Sequence, residues 1–130
     1  MQATGLSHRI ARNESGLTLI ELLVTVTILA ILLAIAVPVY LGMQQQATTT
    51  TAQANLRAAL PAVEAYYNDN ATYDAAGMTL AALRGYDQGV SAGIAVVSGS
   101  ADTYCISSTQ GGTSVFKNGP GSPVTTVPCV

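Results

Sequence analysis

The stretch Gly16 to Tyr40, GLTLIELLVTVTILAILLAIAVPVY, holds a single charged side chain, Glu21, at the mouth of a long apolar run. No further charge follows until Arg57. At helical rise, Leu22 to Met43 spans about 33 Å, enough to cross a bilayer core. An ionised carboxylate in hydrocarbon costs several kcal/mol, so an acid at that position calls for a partner. Position alone leaves other readings open. The carboxylate could snorkel to the headgroups, or it could serve as a favourable acid at a helix N-terminus.

Working outward, residues 1–16, MQATGLSHRIARNESG, are polar, and Arg9 and Arg12 precede the apolar run. That basic flank predicts a cytoplasmic N-terminus and an outward C-terminus. A secretory signal would close its apolar core on a small-residue cleavage site. Val37-Pro38-Val39-Tyr40 stands there instead.

The remainder of the 130-residue chain leaves room for one modest polar domain. The net charge of −2 and the scattered basic residues argue against a direct nucleic-acid site. Cys105 and Cys129 both fall in the last quarter, and in an extracytoplasmic domain two cysteines point to one disulfide, with reduced thiols as the other reading. No metal site is expected from two cysteines and one distant histidine, His8. Asp69, Asp74, Asp87 and Asp102 are dispersed, and no phosphate loop or cofactor motif occurs, so neither an enzyme nor a cofactor is expected. Asn70-Ala71-Thr72 fits an N-glycosylation sequon.

Gly16-Leu17-Thr18-Leu19-Ile20-Glu21, after a basic leader and before an uncharged span, resembles the processing and assembly motif of type IV pilins and the related pseudopilins. The resemblance covers roughly residues 8 to 45 and implies a set of expectations. Residues 1–16 would be a cytoplasmic leader, cut between Gly16 and Leu17 by a prepilin peptidase that also N-methylates Leu17. Residues 17–43 would form the transmembrane and assembly half of the first helix, and 44–130 the extracytoplasmic pilin domain. Glu21 would pair with the Leu17 amine of a neighbouring subunit during assembly. The partners implied are further copies of the chain in a helical filament, the membrane before assembly, and the pilus assembly platform in the cytoplasmic membrane. The location implied is the cytoplasmic membrane, then the extracellular pilus. A type II secretion or competence pseudopilin shares the same motif. A single-span protein that displays a small binding domain without polymerising is the third reading. Pro38 lies where many members carry a proline, and its missing N–H predicts a helix kink. Ala30 departs from the glycine that many members place eight residues earlier. The cysteine pair is placed like the disulfide that delimits the pilin C-terminal loop.

The fold class expected is α+β: one long N-terminal helix, its outer half packed on a small antiparallel sheet. Ala52, Leu56, Ala59, Leu60, Val63 and Tyr67 recur at helical spacing as the stripe a sheet would cover. Pro61 is expected to bend or break the helix, and Asn68-Asp69-Asn70 to end it. Thr48 to Thr51 is expected to be a solvated or subunit-facing run. A short second helix is expected in MTLAALRG, capped by Thr79 and ended by Gly85. Three strands are expected in GIAVVSGS, DTYCISST and TSVFKN, the last two joined at Gln110-Gly111-Gly112.

Overall fold

The computed structural model describes residues 16–129. The expected leader, with His8, Arg9 and Arg12, lies outside the described residues except for Gly16. Helix α1 runs over Leu19–Asn70. It passes from one compact unit, ending at Pro38, into a second that begins at Val39.

Pro61 does not break α1, a correction to the sequence expectation of a possible break. One missing backbone bond is outweighed where the flanking side chains are well buried. Ala59, Ala62 and Val63 around it are at most 2% exposed. The helix stops where expected. Asn70 turns its side-chain Nδ2 back onto the Tyr66 carbonyl at 2.9 Å, and Ala71 adopts a positive φ of 53°. Its N–H donates to the Tyr67 carbonyl at 2.7 Å, closing the last turn.

Helix α2 spans Leu80–Tyr86 and begins at the expected cap, the Thr79 hydroxyl accepting the Ala82 N–H at 3.2 Å. Gly85 does not end it, contrary to expectation. Tyr86 extends the helix by one residue, with its hydroxyl on the Asp69 carboxylate at 2.9 Å and its ring edge-on to Tyr66. Those contacts hold the last turn in place of a glycine stop.

The sheet is an antiparallel meander of four strands, β1 (Ile94–Gly99), β2 (Tyr104–Gln110), β3 (Thr113–Asn118) and β4 (Val124–Thr125). Three were expected. β4 is two residues long in a Pro- and Gly-rich tail, too short to show an alternating pattern. The β2–β3 connection is a two-residue turn, Gln110 opposite Thr113. Gly111 and Gly112 take φ of 54° and 81°, the left-handed pair that a tight hairpin requires.

Ala52, Leu56, Ala59, Ala62, Val63 and Tyr66 are the buried face of α1. They join Met78, Leu83, Val90, Ile94, Tyr104, Ile106 and Val115 in one cluster. The expected stripe is corrected at two places: Leu60 and Tyr67 are only partly buried, and Ala62 and Tyr66 lie inside. The positions 52, 56, 59, 63 and 66 alternate steps of four and three, which keeps one narrow seam toward the sheet. Tyr67 still contributes by stacking on Tyr73 at 4.3 Å, and Tyr73 lies 4.8 Å from Tyr104.

Gly99 is a position where the backbone leaves no room. A Cβ there would meet the Tyr73 carbonyl oxygen and lie 2.9 Å from the Ala75 nitrogen. Both are backbone atoms, and Tyr73 is itself tied to Ser100 by a 2.9 Å hydrogen bond. Gly99→Ala is therefore expected to cost about 1–3 kcal/mol from overpacking. In thermal unfolding of the detergent-solubilised chain this should appear as a fall of roughly 5–20 °C in melting temperature. An unchanged melting curve would contradict the packing described.

Candidate functional site

The start of α1 is built as a reciprocal cap. Thr18 precedes the first helical residue, and its Oγ1 accepts the Glu21 N–H at 3.2 Å. In return Glu21 Oε2 accepts the Thr18 backbone N–H at 3.2 Å and the Thr18 hydroxyl at 3.1 Å. The first helical backbone bond, Leu22 N–H to the Thr18 carbonyl, measures 3.1 Å. This is the capping box, which satisfies two orphan donors at a helix start with one Thr and one Glu three residues apart. It gives Glu21 a local role that the sequence reading missed. The signal was present in Thr18-x-x-Glu21 before an apolar run.

Gly16 and Leu17 lie just ahead of this cap in non-helical backbone. A Cβ at Gly16 would touch nothing within 4 Å.

Beyond Glu21 the helix presents apolar side chains and nothing else that requires water. Every large hydrophobic residue from Leu17 to Met43 is at least 50% exposed. The segment is long and apolar enough to cross a membrane. Its two threonine hydroxyls are spent internally, Thr25 on the Leu22 carbonyl at 2.8 Å and Thr27 on the Leu23 carbonyl at 2.7 Å, and the Tyr40 hydroxyl accepts from Gln44 at 3.0 Å. The surface left outside is methyl and methylene, suited to hydrocarbon or to a similar helix. Helix α1 is continuous through Pro38.

The threonines at 48–51 follow the same rule, each hydroxyl donating at 2.9 Å to a carbonyl three or four residues back. At Asn70, the amide nitrogen that a sugar would need is engaged on Tyr66.

At the far end, Cys105 and Cys129 form a disulfide with a sequence separation of 24. Cys105 is 1% exposed, on the β2 face opposite Tyr104 and Ile106. A second tie was not anticipated. Lys117 is buried on β3, and its Nζ donates to the carbonyls of Pro120 and Ser122 at 3.1 and 2.6 Å. Its parity with Val115 in an alternating strand was the available hint.

Tyr73 donates its hydroxyl to Glu64 at 3.1 Å. Burial, then that hydrogen bond, push its pKa up to about 12. Burial likewise raises Tyr104. These phenols stay neutral across the physiological range and act as packing groups. Among the described residues no three His, Cys, Asp or Glu side chains gather as a metal site.

An exposed apolar helix half, an acid held at its cap and a disulfide-closed sheet domain define an α+β protein whose first helix is long and apolar enough to cross a membrane. Residues 11–37 match the prokaryotic N-terminal methylation motif. Over 114 residues the chain is 36% identical to the type IV wide pilus major component PilA4 of Thermus thermophilus, covering 87% of each protein. Over 72 residues it is 40% identical to the type II secretion system core protein G of Pseudomonas aeruginosa, covering 55% of this chain and 51% of that one. The chain belongs to the type IV pilin and pseudopilin family.

Proposed function

We propose that this chain is a structural subunit, not a catalyst, that polymerises through α1 into an extracellular type IV pilus. The observation that carries this reading is the apolar surface of Leu17 to Met43, exposed throughout and interrupted only by Glu21. Before assembly, residues 17–43 sit in the cytoplasmic membrane with residues 44–130 outside. A prepilin peptidase removes residues 1–16 and N-methylates Leu17, and the assembly platform then extracts the subunit. In the fibre the same apolar surface packs against the helices of other copies.

Within each copy the capping box satisfies Glu21 Oε2. Oε1 is left to face the Leu17 amine of a neighbour, which is created by cleavage. That amine has an unperturbed pKa of about 8 and remains able to carry charge when methylated. Opposite charges held at one axial offset reward the correct register, a specificity role for a desolvated pair. Pro38, which cannot donate to the Ala34 carbonyl, supplies a local bend for packing α1 against its neighbours.

Likeness to the secretion core protein over 72 residues favours a second reading, a short pseudopilus in protein secretion. The pilus reading has the fuller support, since likeness to the wide pilus component extends over 87% of both chains.

Intact-mass spectrometry of the purified chain is expected to show a species beginning at a methylated Leu17, and electron microscopy of sheared surface fibres should contain it. Fibreless cells with the processed chain confined to the membrane would favour the pseudopilin. An uncut N-terminus would overturn both.

A further inference from the structure

The charged groups of residues 44–129 comprise five acids and three bases, and nearly all of them are engaged within the chain. Glu64 accepts from Tyr73, Asp69 from Tyr86, Asp74 from the Ala76 N–H and Asp87 from the Gly89 N–H. Arg84 donates to the Val90 carbonyl, and Lys117 to Pro120 and Ser122. Among the described residues, Arg57 and Asp102 are the two whose side chains make no such bond. Both are exposed.

Asp102 sits in the β1–β2 turn, where the Ser100 carbonyl accepts the Tyr73 N–H at 2.9 Å. Arg57 lies 13 residues before Asn70, about 20 Å down the helix axis. Its setting is also unusual. It is the first charge after Glu21, and it follows Gln46, Thr50 and Gln53 along one helix face, away from the buried stripe of Ala52, Leu56, Ala59 and Val63. Arg57 is the single cation on that face, and Glu64, seven residues further along it, is already engaged by Tyr73.

We propose that this face of α1 docks a second copy of the chain, with Arg57 of one copy paired to Asp102 of another displaced along the helix axis. The partner is identified by charge complementarity: the chain has an excess of acids, and Asp102 is the acid with no internal donor. The contact rests on the polymerising reading above. It adds a head-domain register lock to the one at Glu21, between copies with a different offset.

The test uses the full chain expressed in its fibre-forming host, with fibre yield read from the sheared fraction. Arg57→Glu and Asp102→Arg are each expected to lower the yield about tenfold or more, because like charges then face each other across the contact. The double variant, with the charges exchanged, is expected to return the yield to within about twofold of wild type, since the pair is restored with reversed polarity. Arg57→Gln and Asp102→Asn provide milder forms should a reversal disturb folding, and melting curves in detergent check each variant. Wild-type yield from both single reversals would overturn the contact and leave polymerisation standing. Loss in the singles without rescue in the double would overturn the pairing of these two residues. Absence of fibres from the wild-type chain would instead remove the polymerising reading, and the contact with it.

Discussion

Glu21→Ala is expected to insert into the membrane and be cut after Gly16, yet to yield almost no fibre. Two losses are combined in that variant. One is the capping box, in which Glu21 Oε2 holds the Thr18 N–H and hydroxyl; a lost cap costs about 1 kcal/mol. The other is the charge proposed to face the Leu17 amine of a neighbour, and breaking a desolvated pair from one side costs about 3–5 kcal/mol. At 1.4 kcal/mol for each factor of ten, the second term alone lowers assembly by roughly a hundredfold or more. Glu21→Gln separates them, because glutamine can still close a capping box but carries no charge. Fibre loss in both variants supports the charge pair. Normal fibres from Glu21→Gln, with loss only in Glu21→Ala, would assign the effect to the cap. Normal yield from both would dismiss the assembly role. Mass spectrometry of the N-terminus establishes that processing is intact in each case.

The second large effect is expected from opening the disulfide. Cys129→Ser releases a loop of about 25 residues, and in the chain-entropy model that costs about 3 kcal/mol. For a head domain of this size the loss is a large share of total stability. The tail should not come away as a whole. Lys117 still holds the carbonyls of Pro120 and Ser122, and β4 still pairs with β3. Opening should therefore concentrate after Thr125, and limited proteolysis should nick the variant there while sparing the sheet. Cys105→Ser and the double variant should melt close to Cys129→Ser, since one bond is removed in every case. Melting of the wild-type chain that ignores a reductant would contradict this account.

Much of the site was legible from local sequence because its determinants are local. An uncharged run of membrane length, a basic flank, a Gly-Leu pair and one acid are readable without coordinates. So is the Thr18-to-Glu21 cap, whose partners are three residues apart. The end of α1 at Asn70 and the cap of α2 at Thr79 belong to the same class. Each depends on a side chain reaching its own neighbouring backbone.

Where the sequence misled, distant contacts decided. Pro61 and Gly85 are helix breakers by propensity, and both lie inside helices because residues far away hold the surrounding turn. The burial of Tyr66 rather than Tyr67 follows from the segment that folds back after α1, where Tyr86 packs edge-on to Tyr66 and the Tyr66 hydroxyl fills the space at Gly77, which the periodicity of α1 cannot specify. β4 pairs with β3 where Lys117 fastens the Pro120 and Ser122 carbonyls, and the disulfide pins the chain beyond it.

By itself, then, the sequence determined the apolar helix, its lone acid and the cap that begins it, since these follow from covalent neighbours and helical rise. Only the tertiary structure decided that Ala62 and Tyr66, rather than Leu60 and Tyr67, complete the buried face of α1, and how the C-terminal tail is fastened. It alone also showed that Arg57 and Asp102 are left without side-chain hydrogen bonds while the other charged groups of the head are engaged. Those facts depend on distances between segments that come together only when the chain folds.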